Sequence, residues 1–284
     1  MVKLALPPAA TCTTPLGLID PCDPAVAVIW KPGDPRVETR PIALGDQANL
    51  WTWLDWMFSA SSNAAGAQVM AEAMLLKHFG KEYPVSMERA EAYFADTPKL
   101  TLSKEFNRLS LGTLTRNDID NNQLRQGSFF TRTGKNRVPG GYSSATGRSL
   151  MTYLVKMEEG KLVDPWSSRE IKRLLYLTDN RIRYASNPAL NDSAVYFKSG
   201  SFYGCKAEKG FTCGKYMGNR MNFMNSLAVV ETVETVEGRK LRYIVTLLSN
   251  VLRKNSSENH KEMAGQIHEL IESFHSSPPP LSSP

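Results

Sequence analysis

The chain contains no apolar stretch near the roughly 20 residues that a membrane-crossing helix requires, so no transmembrane segment is expected. Its start carries no charged-then-apolar leader, which by itself says nothing about export. Nor is there a block of consecutive basic residues. The 34 Lys and Arg against 28 Asp and Glu are dispersed, and a nucleic-acid surface would call for a clustered footprint and a recognisable module. No nucleic-acid partner is expected. The four cysteines offer no C-x₂-C spacing and the four histidines no ligand pattern, so neither a metal site nor a cofactor is expected. Two nucleophile motifs are missing as well: no S-x-x-K and no G-x-S-x-G occurs between residues 1 and 284.

What is present describes a water-facing surface over a substantial core. The hydrophobic fraction is 42% over 284 residues, and the net charge of +6 allows only a mild attraction to anions. Residues 4–45 are rich in proline, and Val26–Trp30 is the one strand expected there. Asp46 is expected to cap a helix carrying Leu50, Trp51, Leu54, Met57 and Phe58 on one face. A second helix runs from about Ala64 to His78 and stops at Gly80, and a third covers Ser86–Phe94. Residues 98–142 are mixed and read as a long insert or a loop over a site.

Ser144 or Thr146 then caps a helix that ends at Gly160, and another begins at Ser167. The chemistry changes after residue 190. Val195–Phe202, Phe223–Val233 and Leu241–Leu248 have strand patterning, with a turn at Glu237-Gly238 between the last two. Asn255–Phe274 is an amphipathic helix with Met263, Ile267, Leu270, Ile271 and Phe274 on its apolar face. Residues 276–284, rich in Ser and Pro, read as a disordered tail. Helices, then antiparallel strands, then a helix make an α+β protein.

The cysteines fall as two local pairs, Cys12/Cys22 and Cys205/Cys213. The second pair flanks a Gly- and Lys-rich loop that a disulfide could close, which requires an oxidising compartment. Four unpaired, small core side chains are the other reading.

Three short segments carry chemistry. Lys198-Ser199-Gly200 interrupts an apolar strand with a cation, a hydroxyl and a residue without a side chain. Ser61-Ser62-Asn63 sits between two helices, and Met1-Val2-Lys3 opens the chain. Each has an ordinary reading: an edge strand protected by lysine, a helix-capping turn, a surface lysine near a terminus. Their order is more specific than any one of them. Together they resemble the third, second and first signatures of the serine β-lactamases and penicillin-binding proteins. The 58 positions between Lys3 and Ser61 are similar to that family's spacing, and Thr146–Val163 looks like its helix before the sheet.

That resemblance implies a β-lactamase-like fold, an antiparallel sheet with flanking helices plus an all-helical lobe. It implies a single catalytic domain over 1–275, with the helical lobe at about 46–190 and the sheet-forming part at about 191–275. The expected activity is hydrolysis or transfer of an acyl group from a β-lactam or a D-alanyl-D-alanine-type, peptidoglycan-like peptide through an acyl-serine. Lys3 is then the base for a serine expected one position before Met1, so the chain as printed lacks its nucleophile. Two helical positions three apart share a face, which would put such a serine beside the Lys3 ammonium. Pro7 and Pro8 depart from the family, because they end a helix that it continues.

The resemblance further makes Ser61 a proton relay to the leaving group and Asn63 a ligand of the substrate amide. Lys198 and Ser199 would bind the substrate carboxylate, and Gly200 would leave room for substrate along the strand. A periplasmic or secreted location goes with it. The E-x-x-L-N pattern that supplies a deacylating glutamate has no match, and Glu88, Glu91 and Glu105 read as solvated helix charges. A non-catalytic peptide- or β-lactam-binding protein on the same fold is the alternative.

Overall fold

The computed structural model describes residues 10–11, 26–29, 38–41, 47–177, 181–233 and 240–276. Lys3, Asp46, Cys12, Cys22, the Glu237-Gly238 turn and the tail from 277 lie outside them. The chain divides into two compact units, Met1–Ser149 and Leu150–Pro284.

In the first unit, β1 (Ala10–Thr11) pairs antiparallel with β4 (Gln47–Ala48), and β2 (Val26–Ile29) with β3 (Glu38–Pro41). Helix α1 (Leu50–Phe58) starts after Asn49, whose side chain accepts from Thr52 N at 2.9 Å. Asn49, rather than Asp46, is therefore the cap. Trp53 and Trp56 of α1 are buried edge to face, 4.9 Å apart. Helix α2 (Asn63–Phe79) buries the small residues Ala64, Ala65, Ala67 and Ala71, which lets neighbouring elements approach closely. A Cβ on Gly66 would stand 2.6 Å from the Phe130 ring. Gly80, at φ +55, closes the helix where a side chain would be strained. Helix α3 (Met87–Asp96) is capped by Ser86.

The segment expected to be a loop is largely ordered secondary structure. It holds α4 (Lys99–Arg116), β5 (Leu124–Arg125) and α5 (Arg132–Arg137), and β5 pairs with β6 (Ser144–Ala145). Serine, threonine and asparagine lower the helix propensity of α4, but burial of Leu102 and Phe106 against Tyr93, Phe94 and Phe129 overrides it. Thr113 and Thr115 return their hydroxyls to the carbonyls of Leu109 and Leu111, at 2.8 and 3.1 Å.

In the second unit the helix α6 (Gly147–Glu158), whose first turn belongs to the first unit, ends before Gly160 at φ +71. Helix α7 (Pro165–Tyr176) starts two residues earlier than expected, because Asp164 accepts from Ser167 N at 2.7 Å and Pro165 suits the first helical position. Two short 3₁₀ turns, Arg183–Ser186 and Pro188–Leu190, lead into the sheet. Its strands β7 (Ser193–Gly204), β8 (Met221–Thr232) and β9 (Arg242–Asn250) run antiparallel in that order. The register sets Lys198 opposite Leu227, Ser199 opposite Ser226 and Gly200 opposite Asn225.

The last helix, α8 (Ser256–Ser276), covers the sheet face that carries Val195, Phe197, Ala228, Val230 and Val245. Only part of its apolar stripe is buried: Ile267 packs against the sheet core. Ala264, His260 and His268 are buried, while Met263, Leu270 and Phe274 are 37%, 64% and 80% exposed. Hydrogen bonds decide the rotation. His260 lies between Ser226 Oγ and Ser249 Oγ, at 2.9 and 2.8 Å, and Tyr243 OH meets His268 Nδ1 at 2.8 Å. These partners would be left unsatisfied if the helix turned Met263, Leu270 and Phe274 inward.

Candidate functional site

The strongest constellation is built on β7, an outer strand of its sheet among the described residues, and on the turn before it. Alternation along β7 directs Phe197, Ser199 and Ser201 to the α8 side and Lys198 to the other. At an outer strand the Lys198 stem can fold back over the edge, and its Nζ donates to Ser199 O at 3.2 Å. Burial, with the Arg183 cation nearby, pulls the ammonium down from 10.5 to about 8. A dominant carboxylate partner would instead hold it up.

Arg183 is the residue that sequence reasoning missed. Its guanidinium donates through Nη1 to Ser199 Oγ and through Nη2 to Ser201 Oγ, the latter at 3.0 Å. An arginine cannot accept, so both hydroxyls serve it as acceptors and keep their own protons to donate elsewhere. Arg183 is 8% exposed, and its Nε has no hydrogen-bond partner. Its backbone sits at φ +56, a conformation costing a non-glycine residue about 1–2 kcal/mol. Ser186 Oγ donates to Arg183 O at 2.7 Å and helps hold it there. Positive φ has no signature in a single sequence, and Arg183 stands fifteen positions before Lys198. No local pattern points to it.

Gly200 completes the edge. Its φ is not positive, and a Cβ built there would meet nothing within 4 Å among the described residues. Neither backbone conformation nor packing demands glycine, and the space above it is open. Beneath the strand, His260 is pulled down to about 4 by burial and by the Arg183 charge, and so stays neutral.

Ser61-Ser62-Asn63 lies in the first unit. The cap of α2 is Ser62, which is 2% exposed and accepts from Ala65 N at 3.0 Å. That leaves the flanking Ser61 and Asn63 side chains exposed. Ser61 takes φ +57, a strained position for a residue with a side chain. Lys198, Ser199 and Gly200 are thus brought together with Arg183, Ser61 and Asn63 stand in the other unit, and Lys3 lies outside the described residues.

Glu88 is fully exposed, but Glu105 departs from the solvated-charge expectation: it accepts from Tyr93 OH at 2.5 Å and lies 3.9 Å from His78 Nδ1. A buried acid went unnoticed in the sequence. Glu72, 8% exposed, accepts from Gln68 Nε2 at 2.8 Å and from Tyr83 OH at 2.9 Å. Burial raises its pKa against the pull of those two donors. Cys205 and Cys213 are joined by a disulfide, with Cα atoms 6.0 Å apart. Among the described residues, no helix is long and apolar enough to cross a membrane and no acid, histidine and cysteine group could hold a metal ion.

No family model matches the chain, and no curated protein does. Solved structures do. One is a mutant of PBP-A as its acyl-enzyme with penicillin G, at 12% identity over 95% of this chain and 83% of that one, with a TM-score of 0.46. The β-lactamase from Chitinophaga pinensis DSM 2588 has 16% identity over 95% and 86%, and a TM-score of 0.45. TLA-3 extended-spectrum β-lactamase has 9% identity over 95% and 86%, and a TM-score of 0.49. The chain resembles serine β-lactamases and PBP-A. At these identities and TM-scores the likeness transfers no activity to this chain.

Proposed function

We propose that the chain recognises a carboxylate-bearing β-lactam or a D-alanyl-D-alanine-type peptide and serves acyl transfer through a serine. The carrying observation is that Arg183 donates to both Ser199 and Ser201 beside the half-buried Lys198. Two hydroxyls with protons to donate, next to two cations, make a site for an oxyanion. Substrate carboxylate is the anion in this reading, and the ligand lies over Gly200 along the edge of β7 as an added strand.

The remaining roles follow the motif order. Ser61 relays a proton to the leaving group, Asn63 binds the substrate amide, and Lys3 is the base for a serine preceding Met1. The strained, exposed Ser61 supports a role beyond capping, since Ser62 already caps. An exported location is part of the same proposal. A second reading is binding of the same ligands without chemistry, which the missing E-x-x-L-N glutamate favours.

The test is titration with benzylpenicillin and with its methyl ester. The acid should bind at least tenfold more tightly, and Lys198→Ala should weaken the acid far more than the ester. Equal affinity for the two would overturn the carboxylate site. Labelled penicillin separates the two readings: a covalent band on a chain extended upstream through a serine supports acyl transfer, and binding without a band supports the non-catalytic protein.

A further inference from the structure

Residues 205–220 join the adjacent antiparallel strands β7 and β8, a connection for which two to five residues are usual. The excess length is folded tightly. One turn spans Glu208–Phe211, with Phe211 N donating to Glu208 O at 3.2 Å and Gly210 at φ +78. A second spans Gly214–Met217, with Met217 N donating to Gly214 O at 3.1 Å. The Cys205–Cys213 disulfide closes the first turn. Asn219, 4% exposed, accepts from Lys206 N at 2.9 Å and donates to Lys206 O at 2.9 Å and Glu208 at 2.7 Å.

The loop is also tied to the start of α8. Arg253 donates twice to Glu208, at 3.0 and 3.1 Å, and its N–H reaches Gly218 O at 2.9 Å. Ser256 donates both its N–H and its hydroxyl to Tyr216 O, at 3.1 and 3.2 Å. Tyr216 itself sits at φ +62, strained for an aromatic residue. All this restraint converges on one ring. The Tyr216 ring centroid is 4.8 Å from the guanidinium carbon of Arg183 and 5.7 Å from the Tyr203 ring.

We propose that the disulfide-closed loop 205–220 is a positioning device for the anion site, and that Tyr216 is its working residue, holding the Arg183 guanidinium in the plane from which it reaches Ser199 and Ser201. The inference deepens the carboxylate-binding reading and rests on it. An arginine side chain loses much rotamer freedom on being fixed. A ring whose centroid lies 4.8 Å from the guanidinium carbon restrains it before ligand arrives, so an anion meets a site that is already ordered. Although burial pushes the Tyr216 phenol up, contact with Arg183 and the charge of Lys215 pull it below its usual value, which agrees with a close cationic neighbour.

The test uses benzylpenicillin binding together with the order of the Arg183 side chain, followed through its ¹⁵Nε resonance. Tyr216→Ala should weaken binding about three- to tenfold and loosen Arg183, whereas Tyr216→Phe, which keeps the ring, should restore both. Reducing the disulfide, or replacing Cys205 and Cys213 by serine, should reproduce the Tyr216→Ala effect and add nothing to it in the same chain. Tyr216→Ala with unchanged affinity and Arg183 order would overturn the proposal, as would equal loss in Tyr216→Phe, or full additivity with disulfide removal. If the wild-type chain does not bind the penicillin, the carboxylate reading fails; loosening of Arg183 in Tyr216→Ala alone then still supports the positioning role, and unchanged order rejects it.

Discussion

Two buried ionisable groups, one in each unit, show opposite solutions to the same cost. Glu72 in α2 is surrounded by neutral donors, Gln68 and Tyr83, which satisfy its oxygens from within the fold. Lys198 on β7 has Arg183 for a neighbour, so two like charges are held close together at a strand edge. An anion arriving beside them would relieve that repulsion. The contrast separates scaffold from site. Burial alone marks neither, and the sign and identity of the neighbours decide.

Breaking each group in turn should therefore give different losses. Arg183→Ala should lower benzylpenicillin affinity on the order of a hundredfold, since it removes a cation beside the anion and the donor that orders Ser199 and Ser201, while the fold persists. Titration calorimetry beside a thermal melt would check it. Glu72→Ala should do the reverse. It strands two buried donors and should cost about 1–3 kcal/mol in denaturant unfolding, with penicillin affinity unchanged. A loss of binding in Glu72→Ala would erase the distinction.

The pH dependence sharpens the same contrast, because both groups are disfavoured in their charged forms. Lys198 has its pKa lowered from 10.5 to about 8 in the folded state. Between those values the unfolded chain binds more protons, so this group makes stability rise with pH in that window. Glu72 has its pKa raised above 4.5, so the folded chain binds more protons just above that value. Its contribution therefore falls as pH rises there. Lys198→Met should flatten the alkaline slope and Glu72→Gln the acidic one, each read from unfolding midpoints across pH. A bound anion should raise the Lys198 pKa, so binding near pH 8 should take up protons, seen as a heat that depends on the buffer.

The smallest effect belongs to α8. Leu270 is 64% exposed, and Leu270→Ser should change stability by no more than about 0.5 kcal/mol. Ala264 is fully buried against the sheet, and Ala264→Leu should cost about 1–3 kcal/mol by overpacking. Comparable costs would mean that the leucine face is the packed one.

Those two positions show how reading by pattern goes wrong. A stripe of Met263, Ile267, Leu270 and Phe274 predicts a buried face, but only Ile267 of the four packs on the sheet core; the strand side chains Ser226, Ser249 and Tyr243 take polar partners, and histidines meet them. Polar satisfaction outweighed apolar periodicity. In α4 the error had the opposite sign. Weak helix formers hid a helix that packing against Phe94 and Phe129 secures.

Sequence alone determined part of what depends on neighbours along the chain, though it misplaced the cap of α1 and missed α4. The caps at Ser62 and Ser86, the stop at Gly80, the three antiparallel strands and the grouping of Lys198, Ser199 and Gly200 are short-range matters of hydrogen bonding and alternation. Tertiary structure decided which charges became neighbours. Arg183 reaches Ser199 across sixteen positions and Tyr216 reaches Arg183 from an ordered loop, through two backbone conformations that composition does not reveal. Electrostatic coupling depends on distance in space, and chain order fixes that distance only after the backbone has folded.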